Sequence, residues 1–273
     1  KVLQKAVLRK GFEMNSAPAG GKPLRIGEVI GALQVNTFLY LCMWRAFKEL
    51  IVDPDVDAVT ELKSPEHWPE SLRLDELKLS DGMGRGTKIV KHHANIGEKK
   101  ALKRLYHFVG TKIDQYKAKR DFLDENYTSG LSENLTWGEV SARRMWFLAE
   151  NSRKLGDRGA EHFQKEIAWR EFAYHLSYHT PEIEEKNWRE NWNNFPWKDD
   201  CDDANKWKQG RTGEPLIDAA MRELYITGKM HNRARMLVAS YLTKHLMIDW
   251  RVGKAWFEET LIDWDPALSL IHI

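Results

Sequence analysis

Polar and basic side chains crowd one short stretch, Lys229-Met230-His231-Asn232-Arg233-Ala234-Arg235-Met236. On a helix, Asn232, Arg235 and Met236 fall at i, i+3 and i+4 and share one face. An amide, a guanidinium and a thioether make an odd set for a plain core, and a guanidinium buried there without a partner costs roughly several kcal/mol. The plainer alternative is a basic surface helix with one paired arginine. A second stripe carries Phe163, Glu166, Trp169 and Arg170 at i, i+3, i+6 and i+7. Its plain reading is an amphipathic helix with a Glu166–Arg170 pair at i, i+4, worth about 0.3–0.5 kcal/mol. A third stretch, Thr128-Ser129-Gly130-Leu131-Ser132, sets hydroxyls and a glycine just before a helix, where N–H groups and the helix dipole favour an anion. By itself such a segment is most often a helix cap.

Helices must position these groups. Gly228 closes a predicted helix over Pro215–Thr227, and residues 232–247 repeat apolar side chains at helical spacing, including Met236, Leu237, Tyr241, Leu242 and Leu246. Another predicted helix covers 160–179. From residue 96, Ala101, Leu102, Leu105, Phe108 and Val109 recur at helical spacing up to Tyr116. Residues 1–95 read as an irregular connector, with a Gly/Pro loop at 16–23 and a polar, proline-punctuated run at 53–73. Residues 96–273 read as one helical domain.

The chain of 273 residues is 42% hydrophobic and 30% charged, with a net charge of +2, an ordinary soluble mixture. Its 12 tryptophans are many, and its 2 cysteines, Cys42 and Cys201, build no disulfide framework, which fits a reducing compartment. Residues 181–203 carry a net −5 and residues 206–236 a net +4, a polarity suited to orienting a polyanion. The most apolar run, 37–44, is too short to span a bilayer, and no signal peptide is visible, so the expectation is a soluble intracellular monomer that implies no metal.

The stretch 207–224, the octet, Ile248-Asp249-Trp250-Arg251-Val252-Gly253 and Leu261-Ile262-Asp263-Trp264-Asp265-Pro266 follow one another in an order that resembles the FAD-binding domain of the DNA photolyase/cryptochrome family. The resemblance extends from about Tyr116 to Ala267 and is nearest to class I cyclobutane pyrimidine dimer photolyases. It implies a mostly α fold: a helical FAD-binding domain lacking the N-terminal α/β antenna domain and the C-terminal end. Residues 26–43 do not resemble the family and read as an insertion, a retained intron or a frameshift.

The family pattern implies roles residue by residue. Tyr116, Thr128, Ser129, Gly130, Leu131 and Ser132 would bind the FAD phosphates, and Phe163 would line the flavin pocket. Arg235 would lie against the isoalloxazine, paired with Asp263, with Asp265 beside the ring. Glu166 would hydrogen-bond a flipped dimer, Trp169 would stack on it, Met236 would pack against it, and Asn232 would face it. Arg120, Arg170 and Arg233 would meet DNA. Trp197 and Trp250 would be the surface and middle members of an electron path that photoreduces the flavin. The chain departs from the family at Lys229, where many relatives carry Trp, and at Ser269, where an Asn is expected; the flavin-proximal Trp is missing after it.

The implied activity is light-driven repair of cyclobutane pyrimidine dimers in UV-damaged DNA by electron transfer from reduced FAD, with an antenna chromophore only in a full-length parent. The alternative is a cryptochrome-type blue-light photoreceptor, which has less need of Glu166, Trp169, Asn232 and Met236 together. A (6-4) photolyase resembles a His-rich octet, whereas here Asn232 and Met236 follow His231. A helical interaction module without enzymatic activity is the plainest alternative.

Overall fold

The computed structural model describes residues 44–45, 52, 61, 63–79, 81 and 87–269. The atypical stretch 26–43, the loop at 16–23, Cys42 and residues 270–273 lie outside them. The described residues form helices, with a single isolated parallel bridge, Lys198 to Ile248, and no strand. In order they are α1 (Thr87–His93), α2 (Glu98–Thr111), α3 (Tyr116–Lys119), α4 (Ser132–Thr136), α5 (Ala142–Leu155) and α6 (Ala160–His179). After the 3-10 turns Pro181–Glu184 and Glu190–Asn194 come α7 (Asp202–Lys208), α8 (Pro215–Thr227), α9 (Asn232–Ser240), α10 (Trp250–Thr260) and α11 (Pro266–Ser269). None of these helices is long and apolar enough to cross a membrane. Helix α1 falls inside the stretch expected to be irregular, and it packs on α8.

Apolar periodicity builds one core per group of helices. In the N-terminal group, Leu105 and Phe108 of α2, Tyr116, Met145 of α5 and Phe163 and Ile167 of α6 pack together. In the C-terminal group, Trp207 is fully buried against α8, α9 and α10, and its indole N–H donates to the Val238 carbonyl at 3.0 Å. A third cluster joins Trp44, Ala168 and Phe172, with Trp146 and Trp169 partly buried beside it.

The bounds of α6 and α8 coincide with the periodicity. Gly228 ends α8 at φ 70°, its N–H donating to the Leu224 carbonyl at 2.8 Å. The expected helix 232–247 is split. It is α-helical to Ser240, π-helical over Tyr241–His245, and finished by Met247 at φ 56°. The Thr243 hydroxyl donates to the Ala239 carbonyl at 2.9 Å, competing with the backbone for that acceptor, while the Leu246 N–H reaches the Tyr241 carbonyl at 3.0 Å.

Gly159, just before α6, fixes where that helix starts. A Cβ there would collide with the Ile113 carbonyl and stand 2.9 Å from that of Asp114 and 3.0 Å from the Tyr116 nitrogen. All three are backbone atoms that cannot swing away. Gly159→Ala should therefore lower stability by about 1–3 kcal/mol in urea unfolding. Gly110→Ala, inside α2 with nothing within 4 Å of the new Cβ, should raise it by about 0.5–1 kcal/mol. Equal effects of the two changes would show that close approach at Gly159 does not set the position of α6.

Candidate functional site

The Arg235 guanidinium lies under the first turns of α9. Its Nη2 donates to both Asp263 carboxylate oxygens, at 3.0 and 2.7 Å, and its Nε donates to the Met230 carbonyl at 2.9 Å. The side chains are 12% and 4% exposed, so this is a buried ion pair. The peptide around Asp263 is held as well. Thr136 Oγ1 donates to the Asp263 carbonyl at 3.3 Å, Trp137 Nε1 to that of Ile262 at 2.9 Å, and the Ile262 N–H to that of Gly228 at 2.9 Å. A Cβ on Gly228 would stand 2.5 Å from Ile262 Cγ2, so this crossing also needs a glycine.

Asp265 is buried and caps α11. Its Oδ1 accepts from the Ala267 and Leu268 N–H groups at 3.0 and 3.2 Å, and its Oδ2 accepts from the Tyr174 hydroxyl. Burial, and then that hydrogen bond, push the Tyr174 hydroxyl up to about 12. Arg170 turns towards the same group: Nη2 donates to Tyr174 Oη at 3.2 Å, and Nη1 to Glu171 at 2.9 Å. Its buried Nε has no hydrogen-bond partner among the described residues. Ser269 Oγ accepts from the Asp265 N–H at 3.2 Å.

On the other side of α9 the groups connect through charge. Arg120 is ion-paired with Glu166, lies 5.3 Å from the Tyr116 ring centroid, and is 9% exposed. Glu166 thus pairs with Arg120 rather than with Arg170 at i, i+4, and the His162 ring lies 3.7 Å away through Nε2. Arg120 and Arg170, two of the three arginines expected to face DNA, therefore have partners within the chain. Arg233 is more open: its Nε donates to Asp121 at 2.8 Å and its Nη1 to the Met236 sulfur at 3.4 Å. His231 caps α9, Nδ1 accepting from the Arg233 N–H at 3.1 Å, while Nε2 lies 2.9 Å from the Arg120 carbonyl. Met236 is 42% exposed. The Asn232 amide makes no hydrogen bond among the described residues. Trp169 stands edge-on to Phe172, with centroids 5.6 Å apart, within the tryptophan-rich cluster.

Tyr116 and Phe163 are buried edge-to-face, 5.4 Å between centroids. The 128–132 loop is not a side-chain cap: α4 starts behind Leu131, which is fully buried, without a capping hydrogen bond. Gly130 sits at φ 61° and its carbonyl accepts from Arg104. The N–H groups of residues 128–131 are left without a partner among the described residues, and with the Thr128 and Ser129 hydroxyls they form a donor set suited to a phosphate. Behind the loop, buried Glu133 accepts from Lys229 at 2.9 Å and Arg104 at 3.2 Å. Lys229 thus takes a tertiary ion pair at the position where the family resemblance led to the expectation of a Trp.

Trp197 and Trp250 occupy neighbouring segments. Lys198 N–H donates to the Met247 carbonyl at 2.8 Å and Asp249 N–H to that of Lys198 at 2.9 Å. Trp197 Nε1 donates to the Trp192 carbonyl at 3.0 Å, and Trp250 Nε1 to Asn187 at 2.8 Å. Sequence reasoning left out Glu133, His231, Tyr174 and a role for Asp121. Tyr174 carries a local signal, four residues after Arg170; Glu133 and Lys229 are 96 residues apart and carry none.

A description of the FAD-binding domain of DNA photolyase matches residues 163–273. The deoxyribodipyrimidine photo-lyase of Agrobacterium fabrum is 41% identical over 232 residues, 84% of this chain and 48% of its own length. That of Alkalihalophilus pseudofirmus is 42% identical over 175 residues, 64% of this chain and 36% of its own length. The crystal structure of a bacterial class III photolyase from Agrobacterium tumefaciens matches 85% of this chain and 49% of its own at a TM-score of 0.80 and 40% identity. A Synechocystis cryptochrome covers 66% of this chain and 39% of its own at 0.61 and 32%. The chain spans about half the length, or less, of these relatives.

Removing Asp263 would strand the Arg235 charge indoors. Asp263→Ala should cost about 3–5 kcal/mol in urea unfolding, and Arg235→Met with Asp263→Leu should recover most of that loss. A loss below about 1 kcal/mol would mean that water reaches the guanidinium. Burial also holds His231 and His162 below the ordinary 6.5. The unfolded chain then takes up protons first, so stability should fall as pH drops from about 7 through 6.5 towards the folded-state values. His231→Asn, which keeps a capping oxygen, should flatten part of that slope; an unchanged slope would assign the loss to other groups.

The shared order of helices, the matched residues 163–273 and relatives at about 40% identity make this chain a member of the DNA photolyase/cryptochrome family, carrying that family's helical FAD-binding domain.

Proposed function

We propose that the chain is the flavin- and lesion-holding part of a photolyase that splits cyclobutane pyrimidine dimers in DNA; its likeness to a bacterial class III photolyase supports that kind beside the class I kind that the sequence resemblance implies. The observation that carries this reading is the first turn of α9. It sends Arg235 to Asp263 and, on the same face, leaves Met236 exposed and the Asn232 amide without a hydrogen bond among the described residues, next to Arg233.

The residues present suit FAD. The open N–H groups and hydroxyls of Thr128, Ser129, Gly130, Leu131 and Ser132 would take its phosphates beside Tyr116. Phe163, Arg235, Asp263 and Asp265 would surround the ring. FAD, when bound and reduced, supplies the light-excited electron that breaks the cyclobutane ring and takes it back. The chain's part is to hold and to exclude water. Glu166 and Asn232 offer an acceptor and an amide to the edge of an extruded base, and Met236 packs on it. Trp169 stacks with it, a contact worth about 1–3 kcal/mol per base. Arg120 and Arg170 have inward partners, so Arg233 is the arginine we take to meet a phosphate. Trp250 and Trp197 would carry electrons from the surface.

The similarity to a cryptochrome supports a second reading, a blue-light sensor on the same scaffold. One experiment separates them. FAD is added to the purified 273-residue chain, free flavin is removed by gel filtration, and illuminated, reduced protein is given UV-irradiated oligothymidylate. Retained flavin with recovery of thymine absorbance supports repair. Retained flavin without recovery favours the sensor, and a colourless protein overturns flavin binding by this chain. In the flavin-loaded form, Trp197→Phe should slow photoreduction of oxidised flavin several-fold, roughly, and leave repair by pre-reduced protein unchanged; equal photoreduction would remove Trp197 from the path.

A further inference from the structure

Asp121 follows Arg120 in the chain and stands between it and Arg233. Its Oδ1 accepts from Arg233 Nε at 2.8 Å and lies 3.4 Å from Arg120 Nε. Asp121 and Arg233 are open to solvent, with side chains 53% and 42% exposed, whereas Arg120, at 10%, is committed to Glu166 behind it. Such an exposed ion pair contributes little to folding. Its location matters more, because the carboxylate occupies the cation left to meet DNA phosphate. Carboxylate and phosphate oxygens take the same guanidinium N–H groups in the same planar geometry, so the two anions compete for Arg233. The hydrogen bond from Arg233 also holds the Asp121 carboxyl below its ordinary range, so the competitor stays charged at neutral pH.

We propose that Asp121 is a specificity-determining residue, an internal competitor that occupies Arg233 until a backbone phosphate displaces it, and so weakens binding to undamaged DNA more than to damaged DNA. The naming of damaged DNA rests on the repair reading; the competition itself does not. An intact duplex resting on the surface brings a phosphate to Arg233 only at the local concentration of a loose encounter, and exchange for Asp121 then gains little. On the repair reading, a base held by Glu166, Asn232 and Met236 brings its flanking phosphate beside α9, which makes the displacement effectively intramolecular. Asp121 thus acts as a threshold on the electrostatic, sequence-independent part of binding.

The test is fluorescence anisotropy with the full 273-residue chain. Wild type and Asp121→Asn are titrated, over a salt series, with a duplex and with the same duplex carrying one thymine dimer. The variant should bind undamaged duplex about 3–10-fold tighter, with the slope of log K against log salt steeper by about 0.9, one additional phosphate contact. Its affinity for damaged duplex should move by less than about 2-fold, so discrimination falls. The gain should vanish in Asp121→Asn/Arg233→Gln, and Asp121→Glu, which keeps the charge, should bind like wild type. An undamaged-duplex affinity and slope that do not change, or affinities that fall for both duplexes, would overturn the proposal; so would a tighter Asp121→Glu, or no binding to either duplex by any form. Should wild type bind both duplexes alike, the repair reading fails while the undamaged-duplex arm still decides the role of Asp121.

Discussion

A guanidinium cannot stay indoors without a carboxylate, and the Arg235–Asp263 pair draws distant parts of the chain together to meet that requirement. Arg235 opens α9, Asp263 lies in the short segment between α10 and α11, and the carbonyl of Asp263 is held from the end of α4. Each connection is oriented by a further hydrogen bond, from Arg235 to Met230, from Trp137 to Ile262, and from Ile262 to Gly228. Ion pairs of this kind contribute little net stability against an apolar replacement, because desolvation offsets the attraction. What they do is exclude alternatives: every arrangement that separates the partners leaves a buried charge. The cost of error, more than the gain from contact, holds the Arg235 side of α9 in register.

The opposite side of the helix is built on looser terms. Glu166, Arg120, Asp121 and Arg233 alternate in sign along one connected series, and the outer pair, Asp121 and Arg233, is more exposed than the inner pair. Where water reaches the charges, partners exchange at small cost. One helix turn therefore separates a set of charges that must not move from a set that can, and the reading offered for this domain needs both: a fixed cofactor side and a substrate side able to trade a carboxylate for a phosphate.

Elements whose signal is local were legible in the sequence. Helices α6 and α8 start and stop where apolar periodicity and Gly228 place their ends, because a positive-φ glycine is a local requirement. The buried-charge argument asked for a carboxylate opposite Arg235, and family resemblance named Asp263 for that place. Other features needed the third dimension. Spacing suggested that Glu166 would meet Arg170, four residues on, yet Arg120, 46 positions earlier in the chain, takes the carboxylate, and Arg170 turns to Tyr174. The π turn at Tyr241–His245, closed by the Leu246 N–H on the Tyr241 carbonyl, is a feature that apolar periodicity does not register. Helix α1 lies in a stretch too polar to announce itself, and it packs on α8 only once α8 exists.

The single bridge between Lys198 and Ile248 has a consequence of its own. It is made by main-chain atoms alone, and it flanks Trp197 on one segment and Trp250 on the other. The spacing of the two backbone segments that carry the indoles is thereby inherited from peptide geometry, as marks on a ruler are, while each indole is oriented by its own hydrogen bond. Exposed Lys198 can drift to almost any residue that keeps its N–H without altering that spacing, whereas a proline would erase the ruler at once.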